Sequence, residues 1–454
     1  MSEGLDYGLD YSDFITAKNQ AGGDFGFDPL FIPDQAFDFQ KVLIDWAVRK
    51  GRAAMFADCG MGKTLMQLSW AENVAKKTGG RVLILTPLAV SHQTVDEAIK
   101  FGFDAARSND GVLGGQLVVT NYERLHYFRP DDFSGVVCDE SSILKNFNGL
   151  TRRSITEFMA FIEYRLLCTA TAAPNDYVEL GTSSEALGVM ERKHMLSRFF
   201  THDSGKTSAW RLKGHARSRI FWQWMCSWAR AIRKPSDLGF EDGGFVLPEL
   251  IRNMHVVDSP DSNPEYLFSM PAIGLAEQRA ERRLTLRARC EKAAELASLG
   301  EDPVVCWCSL NEEGGLLESL IDGAVQVSGS DRDDVKEEKF RAFESGEARV
   351  LVTKPSIAGF GLNWQHCSRQ TFFPSHSFEQ WYQAIRRSWR FGQKKPVRVD
   401  VVTSEGEQRV MASLDRKSRQ SDAMFAELVG QMKSNFSDFK KQEKQEKEII
   451  PSWL

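Results

Sequence analysis

Short, nearly uninterrupted apolar runs alternate along the chain with longer amphipathic stretches. In the first half the runs are Arg81-Val82-Leu83-Ile84-Leu85-Thr86, Gln116-Leu117-Val118-Val119-Thr120, Gly135-Val136-Val137-Cys138-Asp139 and Tyr164-Arg165-Leu166-Leu167-Cys168-Thr169. A second set follows Gly300: Pro303-Val304-Val305-Cys306-Trp307-Cys308, Arg349-Val350-Leu351-Val352-Thr353, Gln370-Thr371-Phe372-Phe373 and Val397-Arg398-Val399-Asp400-Val401-Val402. Runs of this length between helical patterns predict strands of a parallel sheet covered on both faces. Two α/β halves of similar size make a weak internal duplication. The first 30 residues, rich in Gly, Asp and Ser, predict an irregular lead-in.

Composition adds one asymmetry. The chain has 454 residues, enough for two or three cores, and a net charge of −5. From Glu191 to Lys234, however, eleven Lys/Arg stand against two acids, a local net of +9 that leaves −14 for the rest. That stretch also holds Trp210, Trp222, Trp224 and Trp228. Trp222 and Trp224 cannot face one partner on a helix, so most of these tryptophans are expected in a core. The eight cysteines show no paired metal-ligand spacing, and Cys306 and Cys308 read as inward strand positions, so buried free thiols are expected. No uninterrupted apolar run reaches membrane-spanning length and Met1–Asp13 is polar, which together predict a cytoplasmic protein. Residues 431–454 carry a mixed-charge run from Lys440 to Glu448, expected to be a solvated helix or tail, with an apolar end at Ile449–Leu454 that could dock on the body.

The candidate chemistry lies in a few segments. In Ala57-Asp58-Cys59-Gly60-Met61-Gly62-Lys63-Thr64, the glycines let backbone amides approach an anion, and the following helix adds its N-terminal dipole. Lys63 can reach the β- and γ-phosphates of a nucleotide, and the Thr64 hydroxyl can ligate Mg²⁺. Asp139-Glu140 ends an apolar strand, where one carboxylate can hold the Mg²⁺ shell and the other can polarise water. Thr169–Ala172 also closes a strand and could sense a γ-phosphate; a turn with local hydroxyl hydrogen bonds is an equal alternative. The Gln40 amide can pair with the donor and acceptor edge of adenine.

In the second half, Ser377-Phe378-Glu379-Gln380 reads as a capping box. On the helix it opens, Gln383, Arg387 and Arg390 share one face, while Trp381, Ile385 and Trp389 form an apolar stripe. Arginines brought from another lobe stabilise the charge of phosphoryl transfer. Gly359 and Gly361 permit close backbone approach to phosphates or nucleotide.

In order, these segments resemble the Swi/Snf-like DNA translocase branch of superfamily 2 helicases, from about Phe37 to Thr403. Gln40 falls at the Q-motif glutamine, Ala57–Thr64 at motif I, Thr86-Pro87-Leu88 at motif Ia and Val119–Glu123 at motif Ib. Asp139-Glu140-Ser141-Ser142 with Lys145-Asn146 resembles motif II, Cys168–Pro174 motif III, Ala358–Asn363 motif V and Gln383–Gln393 motif VI. Ser142 replaces the usual histidine, and Arg386 stands where the branch carries aspartate. The resemblance implies two tandem RecA-like domains, at 31–185 and 251–430, joined by a helical, basic, Trp-rich insertion and linker at 186–250. It implies ATP and Mg²⁺ in the cleft, held by Gln40, Gly60, Gly62, Lys63, Thr64, Asp139, Gly361 and Gln383. Glu140 would activate water, and Arg387 and Arg390 would stabilise the transition state. DNA, duplex by preference, would cross both lobes of a monomer, with specificity supplied by a protein partner. The compact size and the D-E-S-S variant suggest a bacteriophage source. Strand separation on branched DNA or RNA is the alternative within the class, and an ATP-switched binding module with little turnover is the alternative outside it.

Overall fold

The computed structural model describes residues 24–145, 149–173, 176–202, 210–214, 220–258, 282–358, 362–404 and 407–448. Two parallel sheets organise it. The first is built from β1 (Arg52–Ala57), β2 (Arg81–Thr86), β3 (Ala105–Arg107), β4 (Leu117–Asn121), β5 (Phe133–Asp139), β6 (Tyr164–Cys168) and, after a small antiparallel pair β7 (Phe200–His202) and β8 (Trp210–Leu212), β9 (Ala229–Ile232). Its spatial order is β3-β4-β2-β5-β6-β1-β9. The second contains β10 (Leu250–Val257), β11 (Val304–Trp307), β12 (Ala324–Gln326), β13 (Val350–Thr353), β14 (Arg369–Phe372) and β15 (Val397–Ser404), in the order β10-β15-β14-β11-β13-β12. The described helices are α1 (Asp38–Lys50), α2 (Lys63–Thr78), α3 (Ser91–Lys100), α4 (Leu150–Ala160), α5 (Leu180–Leu187), α6 (Arg192–Phe199), α7 (Phe221–Cys226), α8 (Leu286–Ala297), α9 (Asn311–Leu320), α10 (Asp333–Ser345), α11 (Pro355–Ala358), α12 (Phe378–Ile385) and α13 (Gln408–Glu448). Parallel sheets with helices on both faces make two tandem RecA-like domains.

All eight apolar runs read from the sequence are strands, to within two residues at their ends. Each sheet is buried on both faces. Phe56, Leu83, Leu85 and Val136 lie in one cluster of the first lobe, and Met55, Val82, Ile84 and Val137 in the other. The second lobe repeats the arrangement, with Val305, Leu351 and Val399 opposed to Val304, Val350 and Val402.

The segment expected as a helical insertion is folded into the first lobe. Trp222, Trp224 and Trp228 are buried with Phe199 and Phe221, and β9 pairs with β1 as the outer strand of the first sheet. The crossing between lobes is therefore short, from Arg233 to Glu249. Asp237 holds its start by accepting the amides of Arg233 and Lys234 at 2.8 and 3.1 Å.

The chain then returns. Met411 and Leu414 of α13 sit in the core of the second lobe, while Met424, Phe425, Leu428 and Met432 are buried in that of the first. Arg233 donates to Asp422 at 2.6 Å beside this contact. The expected boundary at residue 430 thus falls inside a helix that joins both lobes. No helix among the described residues is long and apolar enough to cross a membrane.

Candidate functional site

The sheet order decides where the chemistry collects. β5, β6 and β1 are neighbours, so the segments that follow them leave one carboxyl edge side by side. In open parallel sheets this edge is where ligands bind. β1 leads into the glycine loop, β5 into Asp139-Glu140 and β6 into Thr169. Two residues widely separated along the chain, Lys63 and Asp139, thereby line one cavity of about 500 Å³.

Loop geometry requires its glycines. Gly60 and Gly62 have φ of +87° and +77°, in the left-handed region. A Cβ at Gly60 would lie 2.9 Å from the Phe391 nitrogen of the second lobe, and one at Gly62 would lie 2.2 Å from the Gln40 Nε2. Gly62 caps α2 with no side-chain hydrogen bond, which leaves the first helical amides open to an anion. The Lys63 ammonium folds back over the loop, donating to the Ala57 carbonyl at 2.9 Å. Gln40 is buried, accepts from the Phe37 amide at 3.0 Å and donates to the Met61 carbonyl at 2.9 Å. Its amide therefore holds the loop from behind, with capacity for one further N–H and one further lone-pair contact.

Burial and the neighbouring Glu140 raise the Asp139 pKa well above the carboxylate range, with Lys63 opposing them. Such a carboxylate pair, with the Thr64 hydroxyl in the same cavity, is a donor set suited to a hard divalent cation. Glu140 is the non-glycine residue with positive φ (53°) among those described. Its Oε2 accepts from the Thr169 hydroxyl and from the Gln383 Nε2, both at 3.2 Å. Thr169 thus couples β6 to the carboxylate, and Gln383 couples the other lobe to it.

Gln383 lies on α12 of the second lobe, whose first turn is capped by the Ser377 hydroxyl accepting from the Gln380 amide at 3.3 Å. The helix ends at Ile385, earlier than the sequence pattern predicts. Past it the Arg387 and Ser388 amides bond the carbonyls three residues back, Ala384 and Ile385, at 3.1 and 3.2 Å, and the Arg387 Nε donates to the Gln383 carbonyl at 3.0 Å. Arg387 and Arg390 nevertheless line the cavity, with Gln383 buried beside them. Arg387 donates to the Gln383 Oε1 and to the Leu362 carbonyl, both at 3.1 Å. Burial first, then the neighbouring Arg387, lowers the Arg390 pKa to about 10. Gly361 lies outside the described residues.

Aromatic rings close one end of the cavity. Phe37 and Phe391, from different lobes, both line it, and Phe391 stacks on Phe245 of the crossing segment at 4.4 Å. A second, more apolar cavity of about 580 Å³ opens between the lobes, bounded by Leu88, Tyr122, Ile143, Phe340, Ile357 and Leu362.

A scan against protein-family models finds no match, and a search of the curated proteins finds none either. Among solved structures, the chain is similar to a Sulfolobus solfataricus SWI2/SNF2 ATPase core in complex with dsDNA. The two share 16% identity and a TM-score of 0.41, over 89% of this chain and 96% of that chain.

Proposed function

We propose that the chain is a nucleic-acid-dependent ATPase that moves along, or remodels, DNA. The observation that supports this most is the convergence on one cavity of Lys63, Asp139 and Glu140 from the first lobe with Arg387 and Arg390 from the second, together with the hydrogen bond from Gln383 to Glu140. In a motor, closure of the lobes completes the site, and turnover reopens it.

In this reading Lys63 and the open amides of α2 hold the phosphates of ATP, and Gly60 and Gly62 give the backbone its close approach. Thr64 and Asp139 are the residues that would hold Mg²⁺, which when bound neutralises phosphate charge. Glu140 takes the proton of the attacking water, its orientation fixed by Thr169 and Gln383. Arg387 and Arg390 stabilise charge on the transferred group. Gln383, touching both Glu140 and Arg387, reports lobe closure to the base. Gln40 braces the loop and offers its remaining N–H and lone pair to adenine. The lobes divide at the Arg233–Glu249 crossing. The cleft between them, with Leu88 and Tyr122 on one side and Ile357 and Leu362 on the other, is the proposed nucleic-acid path.

The test is ATP turnover against duplex, single-stranded and forked DNA and RNA over a range of salt. Stimulation by DNA that falls steeply with salt is expected, and both Lys63→Ala and Glu140→Gln should remove it. Full DNA-stimulated turnover in Glu140→Gln would overturn the assignment. Triplex displacement compared with fork unwinding on the same preparation separates translocation from strand separation.

A further inference from the structure

Asp58 presents an electrostatic problem. It sits inside the phosphate loop, where a negative charge opposes an incoming polyphosphate. It is also buried, with a side chain 3% exposed, and a buried carboxylate without partners is costly. Its partners come mostly from the other lobe. Arg386 donates to the Asp58 Oδ2 at 2.6 Å, and the Tyr382 hydroxyl donates to its Oδ1 at 2.6 Å. Within the loop, the Cys59 amide donates to the same Oδ1 at 2.6 Å. The Arg386 guanidinium lies 4.4 Å from the Trp389 ring and 5.1 Å from the Tyr382 ring, and Trp389 is anchored on the Pro248 carbonyl at 2.7 Å. Although burial opposes its charge, Asp58 and Tyr382 hold the Arg386 pKa above its usual value. Arg386 is one of the two positions at which the sequence departs from the branch it resembles, and this departure has a partner.

We propose that Asp58 and Arg386, with Tyr382, form a charge latch between the lobes. The latch holds the lobes together and positions Arg387 and Arg390 over the phosphate loop. The geometry carries this in three ways. The pair spans the cleft, so any rotation that separates the lobes breaks it. Arg386 adjoins Arg387 in the chain, so fixing its guanidinium on the loop fixes the approach of its neighbour. The pair also cancels the Asp58 charge locally, so the loop amides still attract an anion. Arg386 and Asp58 are positioning residues, acting through Arg387 and through the loop backbone. The positioning role rests on the ATPase reading above; the holding of the lobes together does not.

Dyes on Asp131→Cys and Asp322→Cys, exposed sites in different lobes, report the distance between lobes by energy transfer. All eight native cysteines are buried and leave the label on the introduced thiols. In the full chain without nucleotide, Arg386→Leu and Asp58→Asn should each lengthen that distance, and the double variant should lengthen it no further than the worse single. Arg386→Leu should lower kcat about tenfold or more, with KM for ATP changed less than about threefold. Arg386→Lys should restore part of the closure. If the leucine variant does not fold, Tyr382→Phe, which removes one hydrogen bond from Asp58, should still lengthen the distance. Unchanged distances in the folded single variants, or fully additive shifts, would overturn the latch. DNA-stimulated turnover without any change in distance sinks the latch alone; closure and coupling without turnover in the parent chain sink the ATPase reading alone.

Discussion

Replacing Phe425 by alanine tests whether the C-terminal helix belongs to the first lobe. The ring is 2% exposed and lies among the α7 and β9 side chains, far along the sequence from any of them. The Arg233 guanidinium sits 4.1 Å above it. Burying a phenylalanine removes about 150–200 Å² of surface from water, about 4–5 kcal/mol at about 25 cal/mol per Å². Compactness of the unfolded chain reduces that transfer figure by roughly a quarter, and the lost cation–π contact returns about 0.5–1 kcal/mol. The sum, about 4 kcal/mol, lies within the range of about 3–5 kcal/mol for Phe→Ala in cores. Hydrogen exchange of the α7 and β9 amides measures it, because those amides exchange when this packing opens. Leu150→Ala, at a side chain 82% exposed, should change stability by less than about 0.5 kcal/mol. A loss below about 1 kcal/mol in Phe425→Ala would refute the docking of α13 on the first lobe.

Gly62→Ala should abolish nucleotide binding while leaving the fold intact. Its Cβ would meet the Gln40 Nε2 at 2.2 Å and its φ is +77°, so equilibrium binding of a fluorescent ATP analogue should vanish with an unchanged circular dichroism spectrum. Arg387→Lys keeps the charge but loses the guanidinium fork that bonds Gln383 and Leu362; kcat should fall about a hundredfold or more with little change in nucleotide affinity, by steady-state turnover and direct binding. Burial opposes the charge of Asp400, but hydrogen bonds from His255, Asn253 and the Arg398 Nε hold the Asp400 pKa below its usual value. Its contribution to stability is therefore present above the unfolded pKa, about 3.9, and lost as pH falls through the lower folded value. Asp400→Asn should lower the melting temperature at pH 7, and the gap from the parent should shrink below about pH 4.

The strands that the sequence disclosed most clearly are those buried on both faces, such as β2, β5 and β15, because continuous Val, Leu and Ile runs have few other uses in a soluble chain. Three others gave weaker signals. β1 is alanine-rich, β9 is a four-residue strand inside a cationic stretch, and β10 is an edge strand that leaves Ile251, Met254 and Val256 exposed. Their identity as strands comes from the neighbours they pair with. The basic stretch gave a true charge count but a false hint of an appended module, since its tryptophans serve the core of the first lobe. The helix that carries the charged run at Lys440–Glu448 begins at Gln408, and its apolar residues, four apart at Met424, Leu428 and Met432, face the first lobe.

By itself the sequence determined two parallel sheets, a glycine loop ending at Thr64, a carboxylate pair at the end of β5, and an arginine segment at the other end of the chain. These follow from local rules: periodicity, glycine spacing and strand-end position. Only the tertiary structure decided that β6 lies between β5 and β1, that Gln383 rests on Glu140, and that Arg386 neutralises Asp58 across the cleft. Such facts are set by strand order and lobe closure, in which residues more than two hundred positions apart become neighbours. No local pattern encodes those distances, because they depend on how both cores pack at once.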